Sequence, residues 1–176
     1  MRLFLFLLLT SFISCTNTEK KVAIDESQEK IAILKAIETE TRNFYLKDHA
    51  AWSKSYVQSS KIHWVCVEPD VTLRANGWND LSQFVATWMK ENPEPMNYEK
   101  AEFKISDTAI SISDNMAFVS MKGSNIQPDG KVRFTVGSRT LIKENGEWKF
   151  ISMTSYPADT PDGSTGNIYV YPIKKD

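Results

Sequence analysis

The sequence predicts an α+β fold in which helices come first and antiparallel strands follow. Residues 25–91 contain two long stretches with apolar side chains at helical spacing, whereas residues 102–155 alternate polar and apolar side chains as half-buried strands do. Asn145 and Gly146 lie between two strand-like runs, and Asn-Gly is a strong hairpin signal because both turn residues must accept a positive φ. We therefore expect a long hairpin over residues 132–155, with the upstream elements covering its apolar face.

Three helices are predicted. The first spans residues 25–47, and its apolar side carries Leu34, Ile37, Thr41, Phe44 and Tyr45, flanked by Ile31 and Ile33. Its polar side, expected to face water, carries Glu29, Lys30, Lys35 and Glu40. Asp48 is a favourable N-cap and predicts a second helix through Tyr56, in which Trp52 and Tyr56 share a face. The third helix is expected from Trp78 to Glu91, with Leu81, Phe84, Val85 and Trp88 as its apolar stripe.

Strands are predicted at residues 61–67, 102–113 and 116–126, besides the closing hairpin. Pro69 ends the first of them because proline cannot join a central ladder. Asn76-Gly77 marks a turn, and Asp114-Asn115 joins the second and third strands. We expect one domain over residues 25–156, followed by a turn-rich loop and a short strand within residues 157–176.

Composition argues against several classes of partner. The formal net charge is -1 and no basic block is visible, which argues against binding to nucleic acid. Two cysteines, Cys15 and Cys66, are too few for a disulfide framework or a metal cluster, and His49 and His63 lie at unrelated positions. No phosphate-binding loop or dinucleotide fingerprint is present. We therefore expect no metal and no cofactor.

Residues 1–14 are expected to direct export of the protein rather than to form part of its fold. Residues 1–14 combine a basic start with a short apolar run, which is typical of a secretory signal peptide. The four residues Phe12-Ile13-Ser14-Cys15 resemble the lipobox of bacterial lipoproteins, with Phe12 where leucine is usual. This resemblance implies lipidation of Cys15, a tether over residues 15–24 and anchoring to a membrane of the bacterial cell envelope, on its periplasmic face or at the cell surface. The alternative is an ordinary signal peptide that is cut nearby.

Several motifs occur in an order that resembles the nuclear transport factor 2-like superfamily, in its SnoaL-like (polyketide-cyclase-like) branch. They are the aromatic-plus-Asp step Phe44-Tyr45-Leu46-Lys47-Asp48, a strand carrying Trp64, a helix led by Gly77-Trp78, and the turn Asn145-Gly146-Glu147-Trp148-Lys149. The resemblance covers roughly residues 28–156. It implies a cone, in which N-terminal helices pack in a curved, mostly antiparallel sheet around an apolar pocket. Because this fold serves enzymes, carriers and dimerisation modules alike, fold alone does not give function.

Glu68 is the candidate catalytic residue. The resemblance implies this role, since isomerases of the family carry an acidic general base at the end of the first strand, just before a proline, as Glu68-Pro69 stands here. A carboxylate desolvated at the mouth of an apolar cone suits proton abstraction next to a carbonyl. The family's helix-one tyrosine is replaced here by Glu40-Thr41, and its late-strand histidine by Ile151-Ser152-Met153. Both departures weigh against catalysis, and a solvated loop carboxylate is the alternative.

Arg139 and a set of aromatic residues are the candidate ligand contacts. An arginine at mid-strand could face into the cone and bind a carboxylate as a bidentate donor, or it could be an edge or interface charge. The aromatic candidates for the pocket are Tyr45, Trp52, Tyr56, Trp64 and Trp78. Core packing is the competing interpretation for most of them.

Together these features lead us to expect a lipid-anchored envelope domain, dimeric through its sheet. It would bind a small apolar or weakly acidic ligand, or a protein partner, without catalysing a reaction. The alternative is a cofactor-free isomerase or cyclase that uses Glu68 as general base. A purely structural role would be favoured if aromatic side chains filled the cone.

Overall fold

A computed structural model describes residues 25–96, 100, 102–127 and 129–158. The predicted signal peptide, the tether with Cys15 and the short strand beyond residue 158 lie outside the described residues. Three helices precede or interrupt the first strands: α1 (Glu26–Tyr45), α2 (His49–Ser53) and α3 (Trp78–Glu91). The strands of the described residues are β1 (His63–Val67), β2 (Thr72–Asn76), β3 (Lys104–Ser113), β4 (Met116–Ile126), β5 (Val132–Glu144) and β6 (Glu147–Ala158).

The strands form one sheet in the order β2-β1-β6-β5-β4-β3. Every neighbouring pair is antiparallel except β1 with β6, which is parallel. The register shifts between Ser106 and Ala109 in β3, and opposite Thr140 and Leu141 the strand β6 has one extra residue, Ile151; such bulges bend a strand. The predicted α+β fold with a curved, mostly antiparallel sheet is confirmed.

Local signals fix the element boundaries. The Asp25 carboxylate accepts hydrogen bonds from the backbone N–H groups of Ser27 and Gln28 and caps α1, and the Asp48 carboxylate accepts from Ala51 N and caps α2. The turn between β5 and β6 consists of Asn145 and Gly146, with φ values of 52° and 86°. These positive values are the conformation that the Asn-Gly pair predicts.

The core lies between the helices and one face of the sheet. Its fully buried side chains include Ile33, Ile37, Trp52, Leu81, Val85, Val119, Leu141 and Phe150. They come from all three helices and from β4, β5 and β6, so a single apolar layer joins the elements. This packing leaves the other sheet face outside the core.

The second helix is shorter than the sequence predicts. It ends at Ser53 rather than Tyr56 because the backbone turns to pair with β6: Val57 N donates to Phe150 O over 3.0 Å, and Phe150 N donates to Ser55 O over 2.8 Å. Strand β2 was not predicted, since among its five residues only Ala75 is buried and the alternation is too short to stand out.

The predicted polar side of the first helix is wrong at Glu40. This carboxylate is only 7% exposed, because it lies on the same helix face as the buried Ile33 and Ile37.

Candidate ligand-binding site

A cavity of about 240 Å³ lies between α1, α3 and the inner face of the sheet. Alpha helices supply one wall, through residues such as Phe44 of α1 and Trp88 of α3. The strands supply the other wall, because side chains two apart point to the same sheet face, as Arg133 and Thr135 of β5 and Met153 and Ser155 of β6 do. For comparison, an apolar cavity of about 150 Å³ accepts benzene, so this one has room for a somewhat larger molecule.

Aromatic side chains form most of the apolar lining. They are Phe44, Tyr45, Trp52, Trp64, Phe84, Trp88 and Phe103. Phe44 stacks on Trp88 with ring centroids 4.8 Å apart, and the ammonium of Lys47 lies 3.5 Å from the centroid of the Trp88 ring. These contacts hold the ring faces in place, so the wall is rigid before any ligand arrives.

Glu40 brings a buried carboxylate to this cavity. Its Oε1 accepts a hydrogen bond from Trp52 Nε1 and another from Tyr56 Oη, both over 2.7 Å. Burial and the neighbouring Glu40 carboxylate hold the pKa of the Tyr56 hydroxyl well above its usual range. Tyr56 therefore remains a neutral donor to Glu40 at physiological pH.

Arg139 lies on β5 and brings a buried guanidinium to the same cavity. It is 9% exposed, and its Nη1 donates to two backbone carbonyls, Ser138 O at 2.9 Å and Thr154 O at 2.7 Å. Its Nε is buried and has no hydrogen-bond partner among the described residues, and the same holds for Nδ2 of Asn125 on β4. Burial lowers the pKa of Arg139, while the nearby Glu40 raises it.

An ion pair lies at a more exposed part of the lining. Arg133 Nη2 donates to both carboxylate oxygens of Glu68, at 2.6 Å and 2.7 Å, and the two side chains are 35% and 29% exposed. The thiol of Cys66 lies 3.4 Å from Glu68 Oε1. Burial, reinforced by Glu68, raises the pKa of Cys66 to about 11, so its thiol stays protonated at neutral pH.

The profile of the SnoaL-like domain family matches residues 47–159, more than half of the chain. The chain belongs to the SnoaL-like domain family. This family falls within the nuclear transport factor 2-like superfamily, and the predicted resemblance is confirmed. None of the curated proteins matches the sequence.

Solved structures share the fold of this SnoaL-like domain at low identity. A nuclear transport factor 2-like protein of unknown function from Shewanella oneidensis is 17% identical, with a TM-score of 0.57 over 73% of this chain and 98% of its own. A proposed dehydratase of the same superfamily from Streptomyces avermitilis is 15% identical, with a TM-score of 0.55 over 76% and 99% of the two chains. A proposed ketosteroid isomerase from Parabacteroides distasonis is 14% identical, with a TM-score of 0.52 over 70% and 85%. At these identities the similarity shows the fold alone.

Most of the sequence-derived site residues of the SnoaL-like domain lie along the cavity. The lining includes Glu68 and Arg139, together with the predicted aromatics Tyr45, Trp52 and Trp64. Two of the predicted pocket residues do not line it. Tyr56 is 2% exposed and contacts Glu40 from within the core, and Trp78 packs against Trp52 with ring centroids 5.9 Å apart.

The two histidines also lie away from the cavity lining. His49 Nε2 is within 3.1 Å of the backbone carbonyl of Ser82, and its ring packs on Trp52, so it has a structural position. His63 is exposed on β1. Among the described residues, no three His, Cys, Asp or Glu side chains form a group that could hold a metal ion. None of the helices within the described ranges is long and apolar enough to cross a membrane.

The polar lining residues that sequence reasoning missed include three with charged or amide side chains, Glu40, Asn125 and Arg133, besides hydroxyl residues such as Ser155. Glu40 could have been found, since it follows Ile33 and Ile37 at helical spacing. Asn125 and Arg133 lie on facing positions of β4 and β5, and only the register of that pair brings them together.

Proposed function

We propose that this protein is a lipid-anchored domain of the bacterial cell envelope that binds a small, largely apolar ligand in its cone without catalysing a reaction. The observation that carries the proposal is the cavity of about 240 Å³, lined by aromatic rings and a few buried polar groups. A concave, mostly apolar site with few polar groups is the usual form of a small-molecule site. The aromatic side chains line the cone but do not fill it, which disfavours a purely structural role.

The anchor is supported by the sequence of residues 1–15. Lipidation of Cys15 would attach more than one acyl chain, and multiple chains hold a protein on a membrane stably. We expect a Cys15→Ser variant, expressed in a lipoprotein-processing bacterium, to lose both incorporation of labelled fatty acid and partition into the detergent phase. Equal partition of the variant and the natural chain would contradict the anchor.

Ligand binding is tested by asking whether a small molecule stays bound to the protein during purification. The chain from residue 16 onward, purified without detergent, is expected to carry a co-purified small molecule in native mass spectrometry. A Ser155→Leu variant should lose that molecule, because Ser155 lines the cavity and a larger side chain would occupy it. Ser152→Leu on the same strand is the matched control, since Ser152 does not line the cavity.

Two results would overturn the proposal. One is a mass without any retained molecule together with no binding of either benzamide or benzoate, two probes of suitable size, by calorimetry. The other is equal binding by the two serine variants. Loss in Ser155→Leu alone supports the cavity as the site.

An isomerase remains the second candidate function, because Glu68 lines the same cavity as two buried donors, Arg139 and Asn125. In such a reaction Glu68 would remove a proton next to a carbonyl, and the donors would hold the enolate oxygen. The ion pair with Arg133 opposes this role, since both carboxylate oxygens already accept hydrogen bonds.

The retained molecule itself separates the two functions. In D₂O, a catalytic Glu68 would exchange a carbon-bound hydrogen of that molecule for deuterium, and Glu68→Gln would stop the exchange. Glu94→Gln, on an exposed carboxylate, is the control. Absence of exchange in the natural chain would exclude the isomerase and leave the binding function intact.

A further inference from the structure

Arg139 presents one free edge of its guanidinium. The group has five N–H donors, and both hydrogen bonds that Arg139 makes within the described residues leave from Nη1, to the carbonyls of Ser138 and Thr154. These two bonds to the backbone fix the plane of the guanidinium. The edge formed by Nε and Nη2 is the one that remains, and Nε has no partner among the described residues. Two parallel N–H donors on one edge match the two oxygens of a carboxylate.

The charge of Arg139 also lacks an ion pair within the described residues. Glu40 is near enough to Arg139 to raise the pKa of the guanidinium. No carboxylate oxygen of the described residues, however, lies within 4.0 Å of a guanidinium nitrogen of Arg139. Glu40 is itself engaged, because Trp52 and Tyr56 both donate to its Oε1. The other cationic side chain of the lining, Arg133, is paired with Glu68. A guanidinium that is 9% exposed and has no direct counter-charge is costly to bury, and an anionic ligand would remove that cost.

Asn125, which lies on β4 opposite Arg133, adds a second polar group to the lining of the cavity. It is 5% exposed, and its Nδ2 has no partner among the described residues. A buried donor without a partner loses free energy, so two of them lining one cavity indicate that an acceptor belongs there. The apolar part of the cavity is formed by rings such as Phe44, Trp88 and Trp64.

We propose that the ligand is a monocarboxylate with a single apolar ring, whose carboxylate binds the Nε/Nη2 edge of Arg139 while the ring packs among the aromatic side chains. This inference rests on the proposed binding function and names the chemistry of its ligand. The size of the cavity, above that of a benzene site, suits a benzoate or phenylacetate skeleton.

The test compares how tightly the natural chain binds a carboxylic acid and the amide of the same shape. Benzoate and benzamide have nearly the same shape, as do phenylacetate and phenylacetamide, and only the acid offers two anionic acceptor oxygens. Calorimetry at pH 7.5 should give binding roughly tenfold to hundredfold tighter for each acid than for its amide, since hydrogen bonds to charged groups are about twice as strong as neutral ones. This comparison needs no variant, so it does not depend on the folding of any substitution.

Variants then test whether Arg139 causes the preference for the acid over the amide. Arg139→Gln should abolish the difference in affinity between acid and amide. Arg139→Lys should reduce that difference, because lysine keeps the positive charge but lacks the two parallel N–H donors of the guanidinium. Arg74→Gln, on an exposed arginine of β2, should leave the difference in affinity unchanged.

Equal binding of acid and amide by the natural chain would overturn this inference while the binding function stands. Failure of all four probes by a chain that also retains no molecule would overturn both, and an acid preference that survives in a folded Arg139→Gln chain would overturn the assignment to Arg139.

Discussion

Glu40 is a buried carboxylate, and its hydrogen-bond donors among the described residues are Trp52, Tyr56 and, over 3.4 Å, the hydroxyl of Thr41. Its Oε1 accepts from Trp52 Nε1 and Tyr56 Oη, and these three side chains belong to α1, α2 and the segment that follows α2. One carboxylate therefore ties the first helix to the next part of the chain. It also gives the cavity a polar group that packing alone would not place there.

We predict that Glu40→Ala lowers the free energy of unfolding by about 2–5 kcal/mol, because each of two buried donors is left without an acceptor at a cost of about 1–3 kcal/mol. Glu40→Gln keeps an acceptor oxygen and should lose about 1–2 kcal/mol. Urea denaturation followed by tryptophan fluorescence measures both changes. Glu38→Ala is the control, since Glu38 is exposed on the same helix, and an equal loss in Glu38→Ala would contradict the role of Glu40.

Cys66 offers a chemical probe of the same cavity. Burial, and to a lesser degree Glu68, raises the pKa of the Cys66 thiol to about 11. Only the thiolate reacts with iodoacetamide, so at pH 8 the modification should be roughly a hundredfold slower than in the unfolded chain. Raising the pH should increase the rate about tenfold per unit up to pH 10.

Glu68→Gln should speed the modification of Cys66 at pH 8 by roughly three- to tenfold, because it removes the negative charge that disfavours the thiolate. The measurement uses a Cys15→Ser background, so that Cys66 is the only cysteine that can react. Asp70→Asn, an exposed acidic residue beyond the same strand, is the matched control. A rate that does not depend on pH, or that is equal in the two variants, would show that Glu68 does not act on Cys66.

At the scale of elements, the contact between β5 and β6 depends on Gly137. A Cβ at this position would lie 2.3 Å from Thr154 O and 3.2 Å from Nη1 of Arg139. Thr154 O is also the carbonyl to which Arg139 donates. The absence of a side chain at Gly137 thus allows the strand pairing and the placement of Arg139 together.

We predict that Gly137→Ala lowers the free energy of unfolding by about 1–3 kcal/mol, since a methyl group against backbone atoms forces the two strands apart. It should also weaken benzoate binding by moving Arg139. Gly123→Ala is the informative control: its Cβ would meet Thr135 Oγ1 at 2.8 Å, and a side chain can rotate away. Chemical denaturation of both variants gives the comparison, and a loss in Gly123→Ala as large as in Gly137→Ala would contradict the backbone explanation.

The sequence predicted the elements well where a local rule decides them. Asp25 and Asp48 cap helices and Asn145-Gly146 turns a hairpin, and each rule acts within a few residues. Strand β2 escaped prediction because its pairing with β1, not its own pattern, makes it a strand. The second helix stopped early for a similar reason, since its end pairs with β6.

The candidate site was less predictable than the fold. A pocket needs residues that are distant in the chain, such as Glu40 and Arg139, and their proximity follows from tertiary packing. Sequence reasoning could nominate Arg139 as a mid-strand arginine, but it could not show that this residue has no ion pair within the described part of the chain. It placed Tyr56 and Trp78 in the pocket because aromatics suit both pockets and cores, and packing decides between the two.

At the scale of the whole molecule, none of the described helices covers the outer face of the sheet. Met116, Phe118 and Tyr156 are 49%, 49% and 42% exposed. The register places Phe118 opposite Thr140 and Tyr156 opposite Val136, on the face away from the core. Apolar side chains grouped on one surface are typical of an interaction site, and they support the proposal of a homodimer formed through the sheet.

Phe118→Glu tests the homodimer, because a two-fold interface brings the same patch of both copies together and would bury two new carboxylates. We predict that the natural chain sediments as a dimer and the Phe118→Glu chain as a monomer with unchanged secondary structure. Ile31→Glu is the control, since Ile31 is 60% exposed on α1, away from the sheet face, and should leave the dimer intact. A natural chain that sediments as a monomer, or a Phe118→Glu chain that remains a dimer, would show that this face does not join two copies. Ligand binding should persist in the monomer, because the lining of the cavity comes from one chain.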